Sequence, residues 1–580
     1  MPQPQFLFYR HRQNRLRQER FQTECPEFFL VLCCPFSLPA REPVTARHGM
    51  VVSAEEHASR IGREILQEGG NAVDAAVAVG FALAVTYPQA GNLGGGGFMV
   101  IRLSDGTVAA IDFREKAPKK ASRDMYLDNE GNVIPGKSLI GHAASGVPGT
   151  VAGFEFAHKR FGRLQWETLI KPAVKLAKEG FPVPYNLYEA LMNKQDRMTV
   201  FPSTREVFFP DGKPPEAGQT FYQPDLGITL QKIAEEGSEA FYHGSVADQI
   251  VSEMQANGGL ITKEDLRTYH AVERQPIAGS YRDYIIYSMP PPSSGGIALL
   301  QFLNTFEHFP ISEYGFNGAR SLHVFIETAK QVFADRTEYG GDPEFSAVPV
   351  DWLTSKEYGK TIARRINLKA ATKSNDVKAG CPVYSESDQT THFSVIDDSR
   401  MAAACTITLN GTFGSLVVVR GAGFLMNNEM DDFSLKPGVP NQFGLTGSDA
   451  NAIEPAKRML SSMTPTIVTR DDGFLLAVGS PGGPRIITAV LQSIVNIIDH
   501  GMNIQEAVEA PRIHHQWLPE QVFFEKYGLS LDTREKLESM GHSLKESDYM
   551  CEVLGIIYNP QTGLLSAGID HRRSGSAAGY

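Results

Sequence analysis

Cysteine is scarce in this chain. Its six cysteines among 580 residues are Cys25, Cys33, Cys34, Cys381, Cys405 and Cys551. They contain no CxxC and no Cys/His ligand spacing, so no zinc site is indicated and no metal is expected. An adjacent pair and three distant thiols build no disulfide framework. Basic charge is short as well: 55 Lys and Arg against 66 Asp and Glu leave a net charge of −11. Without a basic stripe, nucleic-acid binding is disfavoured. Long apolar runs are missing too. The most apolar stretch, Ala72 to Val85, is too short to span a membrane and is expected to be a buried helix. There is no internal repeat and no low-complexity linker. What remains is an ordinary globular composition, 42% hydrophobic and 21% charged, with 54 glycines. The length is enough for a large core.

Residues 1–44 are expected to be a leader, either a signal peptide or a disordered segment. Five arginines (Arg10, Arg12, Arg15, Arg17, Arg20) precede "FFLVLCCPF" and then "SLPAREP". That is the order of a secretory signal: basic, apolar, small. It points to the periplasm or the outside, with the cytoplasm as alternative, because Pro35 breaks the apolar run and no A-x-A site follows. Beyond the leader a short strand and two helices are expected, with Gly69-Gly70 stopping the first helix and Asn71 capping the second. "GNLGGGGFMVIRL" predicts a glycine loop feeding a strand. "TVAAIDFREKAP" predicts a second strand that ends at Arg114. Residues 150–375 are mostly helical by period. From 390 onward strands lead: "TTHFSVI" and "MAAACTITL" form a hairpin. "FLLAVGS" is a further strand, "PGGP" a turn, and "RIITAVLQSIVNIIDHG" a helix ended by Gly501. Two sheets covered by helices are expected.

Several short motifs could carry chemistry. Gly131 to Ser138 fits GxxxxGK[ST] letter for letter, with Lys137 in the phosphate-binding position. Neither "MYLDNE" before it nor "LIGHAASGVPG" after it makes the strand and helix that a phosphate loop needs, so a turn is expected. The run Gly94 to Gly97 suits close backbone packing. Arg114, at a strand mouth, could grip a carboxylate with two parallel hydrogen bonds. Ser461 and Ser462 offer two hydroxyls ahead of a strand. Gly482 and Gly483, before Pro484 and a helix, could offer free amides as an oxyanion hole, or simply make a connection. "NNEMDDF" could present Glu429 and Asp432 to an ammonium group. "NGT" at 410–412 matches a glycosylation acceptor. In "SDQTTHFSV", Thr390 is a β-branched strand residue unless the bond before it is cut. Cutting would give it an α-amine with a pKa of about 7.7–8.0, able to serve as base for its own hydroxyl.

Together "GNLGGGGF", "DFREKAP", "QTTHFSV", "TLNGTFGS", "NNEMDDF", "MLSSMTP", "GSPGGPRI", "APRIHHQWLP" and "SAAGY" resemble the γ-glutamyltransferase (glutathione hydrolase) family of N-terminal-nucleophile enzymes, in the family's order from about residue 45 to 580. The resemblance implies an α+β fold, a four-layer αββα sandwich formed jointly by two pieces of a self-cleaved precursor. The large piece would be 45–389, after the leader, and the small piece 390–580, with the cut between Gln389 and Thr390. Thr390 would attack the γ-carbonyl of glutathione or another γ-glutamyl compound. Thr408 would hydrogen-bond the nucleophile, and the amides of Gly482 and Gly483 would hold the oxyanion. Arg114, Ser461 and Ser462 would take the substrate carboxylate; Asn410, Glu429 and Asp432 the ammonium. Water, an amino acid or a peptide would accept the acyl group, with no cofactor. Glu429 stands where some relatives have glutamine. The segment 437–447 resembles a lid, with Phe443 where some bacterial members have tyrosine; lacking a hydroxyl, it implies a looser gate. The competing readings are a glutaryl or cephalosporin-type acylase and an uncleaved pseudoenzyme that only binds.

Overall fold

The structure is a computed structural model and describes residues 42–379, 389–436 and 448–580. The leader up to residue 41, the lid segment with Phe443, and the side chain of Gln389 lie outside the described residues. Val44, assigned above to the leader, already stands in a strand.

Fourteen strands make two sheets. In chain order they are β1 (Val44–Ala46), β2 (Met50–Ser53), β3 (Gly96–Arg102), β4 (Val108–Phe113), β5 (Val272–Arg274), β6 (Ile277–Tyr281), β7 (Tyr284–Ser288), β8 (Gln389–Ile396), β9 (Ala402–Asn410), β10 (Thr466–Thr469), β11 (Leu475–Gly479), β12 (Leu554–Asn559), β13 (Leu564–Ile569) and β14 (Ser576–Gly579). One sheet runs β1-β13-β12-β11-β10-β7-β6, and the other β14-β2-β8-β9-β3-β4-β5. Neighbouring strands in both are antiparallel.

Alternation along β8 shows how the layers stack, since successive side chains point to opposite faces. Phe393 and Val395 join an apolar core with Val51, Ile101 and Ile407 beneath the helices α1 (Glu56–Gln67), α2 (Ala72–Thr86) and α3 (Thr150–Phe161). Ile396, with Val52, Val100 and Ala404, instead joins the core shared with Ile467, Ala477 and Ile556 of the other sheet. That second core extends to the helices α4 (Gly295–Phe306), α5 (Ala319–Tyr339) and α6 (Arg485–Ile498). The architecture is therefore four layers, helices–sheet–sheet–helices.

The run from Ala72 is a helix whose 15 residues are all buried, as its apolar composition predicts. Asn71 starts it with a reciprocal cap: its Oδ1 accepts from the Val73 and Asp74 amides at 3.0 Å, and Asp74 Oδ2 accepts from the Asn71 amide at 2.9 Å. Such a cap is worth about 0.5–2 kcal/mol. The 150–375 region departs from its helical expectation at β5 to β7. There "IAGSYRDYIIYS" forms a hairpin with Tyr281 opposite Tyr284, turning through Arg282 at φ 52°. The short polar turn was overshadowed by the helical periods around it.

Candidate active site

Thr390, the second residue of β8, lies directly opposite Thr408 of β9, while His392 lies opposite Thr406. Both threonines therefore share the face that meets the other sheet. His392 fixes the depth of that face: its Nδ1 is 2.9 Å from Thr406 Oγ1 and its Nε2 2.9 Å from Ser394 Oγ. The ring packs on the last residue of β11 so closely that a Cβ at Gly479 would stand 2.4 Å from it. The start of β8 and the end of β11 thus meet between the sheets. Thr391 points to the opposite, helix-covered face. The two threonines of "TTH" are separated by the pleat alone.

A bulge falls at the bond preceding Thr390. Gln389 pairs with Asn410 but Thr390 with Thr408, leaving Leu409 over. Asn410 takes a left-handed φ of 71°, and its amide donates to Thr408 Oγ1 at 2.8 Å. Its Nδ2 donates to the Asn428 carbonyl at 3.0 Å, while its buried Oδ1 has no partner among the described residues. At 2% exposure, Asn410 is enclosed, and the "NGT" match is a turn at the end of a strand.

Three residues beyond β11, the chain turns through Gly482 (φ 128°) and Gly483 (φ 58°) into α6. The carbonyls of these glycines accept the Arg485 and Ile486 amides at 3.2 and 3.0 Å. Their own buried amides donate to no partner among the described residues. Cys551 closes the far side: a Cβ on Gly482 would lie 2.3 Å from its Sγ.

A buried ionic cluster completes the site. Arg114, just past β4 and 1% exposed, places Nη1 2.8 Å from Glu429 Oε2 and Nη2 2.5 Å from Asp432 Oδ2. Its Nη2 also donates to the Leu460 carbonyl at 3.0 Å, next to Ser461. Ser462 Oγ accepts from Arg336 Nη2 at 3.0 Å, and the Ser461 carbonyl receives the Ser294 amide at 2.7 Å. The structure thus brings Arg114, Glu429, Asp432 and the serine segment together, and Asn410 joins them through Asn428.

Four positioning or electrostatic residues escaped the sequence reading. Asn427 accepts the Glu429 amide at 3.0 Å and donates to the carbonyls of Gly94 and Gly146 at 2.7 and 2.8 Å, locking the acidic loop to the glycine run. Asn451 ties the Asp432 carbonyl (2.7 Å) to the Leu460 amide (3.0 Å). Arg336 reaches Ser462 from α5. Glu115, fully buried beside Arg114, is pushed up to about 8 by desolvation, which outweighs the pull of Arg114. Asn and Glu in polar loops look solvated in a sequence; only burial distinguishes these.

The glycine run serves packing. A Cβ at Gly94, Gly95 or Gly97 would lie 2.0–2.3 Å from a backbone oxygen of a neighbouring segment. The Gly131–Ser138 match lies in turns, with no strand leading in and only a three-residue 3₁₀ turn, His142–Ala144, after it. Lys137 Nζ donates to the Met125 carbonyl at 2.7 Å, and Ser138 Oγ to Asp431 Oδ1 at 2.5 Å.

A sequence model described as Gamma-glutamyltranspeptidase matches residues 58–580. The glutathione hydrolase proenzyme of Escherichia coli K12 is 51% identical over 541 residues, 93% of each chain. That of Pseudomonas sp. A14 is 44% identical over 94% of this chain and 97% of its own. Among solved structures, a cephalosporin acylase from Bacillus halodurans superposes with a TM-score of 0.83 at 28% identity, covering 95% of this chain and 99% of that one. The Helicobacter pylori gamma-glutamyltranspeptidase gives 0.56 at 46% identity over 57% of this chain and 94% of that one. The chain belongs to the gamma-glutamyltranspeptidase family, enzymes of γ-glutamyl transfer and hydrolysis.

Proposed function

We propose that Thr390 is the nucleophile of this enzyme and that the chain activates itself by cutting between Gln389 and Thr390. The observation that carries this reading is the placement of Thr390 at a bulge, on the inter-sheet face, opposite Thr408 and two residues before His392, which packs on Gly479 ahead of the Gly482–Gly483 turn. In the uncut chain, Thr390 Oγ attacks the Gln389 carbonyl and the scissile C–N bond breaks as its nitrogen takes a proton. The resulting ester is hydrolysed, giving a Gln389 carboxylate and a free Thr390 amine.

That amine is then the base. It takes the Thr390 hydroxyl proton as Oγ adds to the γ-carbonyl of glutathione or a related γ-glutamyl amide. Thr408 supports the nucleophile from the facing strand. The Gly482 and Gly483 amides meet the developing oxyanion, an interaction worth about 10²–10³ in rate per donor. The leaving amine departs with the proton. Water or the amine of an amino acid or peptide then attacks the γ-glutamyl ester, giving hydrolysis or transpeptidation.

Recognition works by exchange of partners. Arg114 is neutralised by Glu429 and Asp432 in the free site. A γ-glutamyl group brings one carboxylate and one ammonium. Its carboxylate takes Arg114, with the Ser461 and Ser462 hydroxyls, and its ammonium takes Glu429, Asp432 and the unpartnered Asn410 Oδ1. Each buried charge keeps a partner throughout, which avoids the cost of an orphaned ion.

The likeness to a cephalosporin acylase makes an acylase the second reading. A glutaryl group has no ammonium and would leave these acceptors facing nothing, so the acidic cluster favours the γ-glutamyl substrate. The large and small fragments form the working heterodimer. The basic-then-apolar leader supports export, and no helix among the described residues is long and apolar enough to cross a membrane.

A denaturing gel with N-terminal sequencing of the smaller band tests the proposal. A band starting Thr-Thr-His, absent in Thr390→Ala, is expected; one full-length band in active protein would overturn it. Hydrolysis of a γ-glutamyl anilide but not its glutaryl analogue separates the two substrate readings.

A further inference from the structure

Away from this site, α5 carries His323 and Glu327 one turn apart, with Lys330 a turn further; all three are buried. Facing them, after the helix Leu531–Ser539, His542 places Nε2 2.7 Å from His323 Nδ1. His323 Nε2 lies 2.9 Å from the Asn367 carbonyl, an acceptor only, so it carries that ring's proton and Nδ1 presents a lone pair. His323 Nδ1, His542 Nε2 and a Glu327 carboxylate oxygen all lie within 4.8 Å of one another.

We propose that His323, Glu327 and His542 bind one zinc-class divalent ion, with water in the fourth position. Two imidazoles and a carboxylate are the donor set that zinc accepts, and spacing of four on a helix puts two of them on one face. Supporting hydrogen bonds are already in place. The Asn367 carbonyl orients His323, and the Thr372 amide donates to Glu327 Oε2 at 3.0 Å. Ligands on a tetrahedral ion stand roughly 3.3 Å apart at zinc bond lengths, so the imidazole pair must part by about half an ångström. His542 follows Gly541 at φ 100°, a joint that can supply the movement.

Lys330 opposes the ion. Its Nζ is 2.7 Å from Glu327 Oε1, 4.0 Å from Glu520 and bonded to the Thr372 carbonyl. Its ammonium competes for Glu327 and sets the affinity. Cysteine and histidine spacing could not announce this site, because its ligands come from opposite ends of the fold. His323 and Glu327 precede Gln389 and His542 follows Thr390, so the ion would also bridge the two fragments. The bridging rests on the proposed cleavage; the binding does not.

The test is titration of chelator-treated protein with Zn²⁺ by calorimetry and with Co²⁺ by visible absorption. One ion per chain equivalent is expected, with tetrahedral Co²⁺ bands and a higher melting temperature. His542→Gln and Glu327→Gln should each weaken binding by about 100-fold, while Lys330→Met should tighten it. Metal-free melting curves establish that the variants fold. The uncleaved Thr390→Ala chain should bind equally well, so failure of the cleavage reading and failure of this one give different results. Absence of stoichiometric binding at 100-micromolar metal (about the weakest useful range), or binding undiminished in both His323→Gln and His542→Gln, overturns the proposal.

Discussion

Arg114 and Asp432 form a buried ion pair, Nη2 to Oδ2 2.5 Å, within the pocket assigned to the substrate's own charges. Asp432→Asn keeps the shape but removes a partner from both Arg114 and the incoming ammonium. We expect KM for a γ-glutamyl anilide to rise about 10–100-fold, the scale of a lost buried charge contact, with a smaller fall in kcat. Steady-state kinetics check this; an unchanged KM would remove Asp432 from recognition.

Thr408→Val is nearly isosteric, so it isolates the hydroxyl. The change orphans the buried Asn410 amide, which donates to Thr408 Oγ1 at 2.8 Å, at a cost of about 1–3 kcal/mol. It also strips the side-chain oxygen of the residue that β9 places directly opposite Thr390. Slower appearance of the two fragments and a kcat lowered about 10–100-fold are expected in a gel time course and in turnover of the processed fraction. Normal processing with reduced melting temperature alone would make Thr408 purely structural.

How far these roles are legible before folding depends on the physics that sets each one. Strand alternation in "TTHFSVI" and the apolar run after Asn71 are local, and both elements form where the pattern places them. Family resemblance picks out Arg114, Glu429 and Asp432, and the fold brings them within hydrogen-bond reach. The mutual pairing of those residues was not legible, because each was assigned to the substrate and none to another. Glu115 and Asn427 were missed for a different reason: their importance comes from burial against chain segments hundreds of residues away. Asn451 binds nearer partners, but its burial is equally invisible in a polar loop. The bulge at Gln389–Thr390 needs the pairing register, which alternation alone does not supply.

Gly482→Ala meets two obstacles. A φ of 128° disfavours any side chain, and the new methyl would lie 2.3 Å from Cys551 Sγ. The turn must shift and carry its amides off the oxyanion. A fall in kcat of about 10²-fold or more is expected, with KM little changed. Adding Cys551→Gly relieves the clash but not the dihedral strain, so the double variant should recover activity only in part. Full recovery would leave the thiol contact as the whole constraint.

Two buried groups make stability depend on pH in opposite senses, each over its own window. Burial lowers His392 to about 3 from its ordinary 6.5. The unfolded chain therefore takes up a proton that the folded one refuses, and stability declines as pH falls below 6.5. Glu115 behaves oppositely. Desolvation raises it to about 8 from 4.5 despite Arg114. Its contribution is fully present below pH 4.5 and is lost as pH rises toward 8, because the unfolded carboxyl ionises first. Each group can add a slope of up to about 1.4 kcal/mol per pH unit within its window. Glu115→Gln stays neutral throughout, so its melting temperature relative to the parent should climb steadily from pH 5 to pH 8. Thermal unfolding at constant ionic strength measures this. A difference that does not change with pH would mean that Glu115 is ionised in the folded protein, held by Arg114 against its burial.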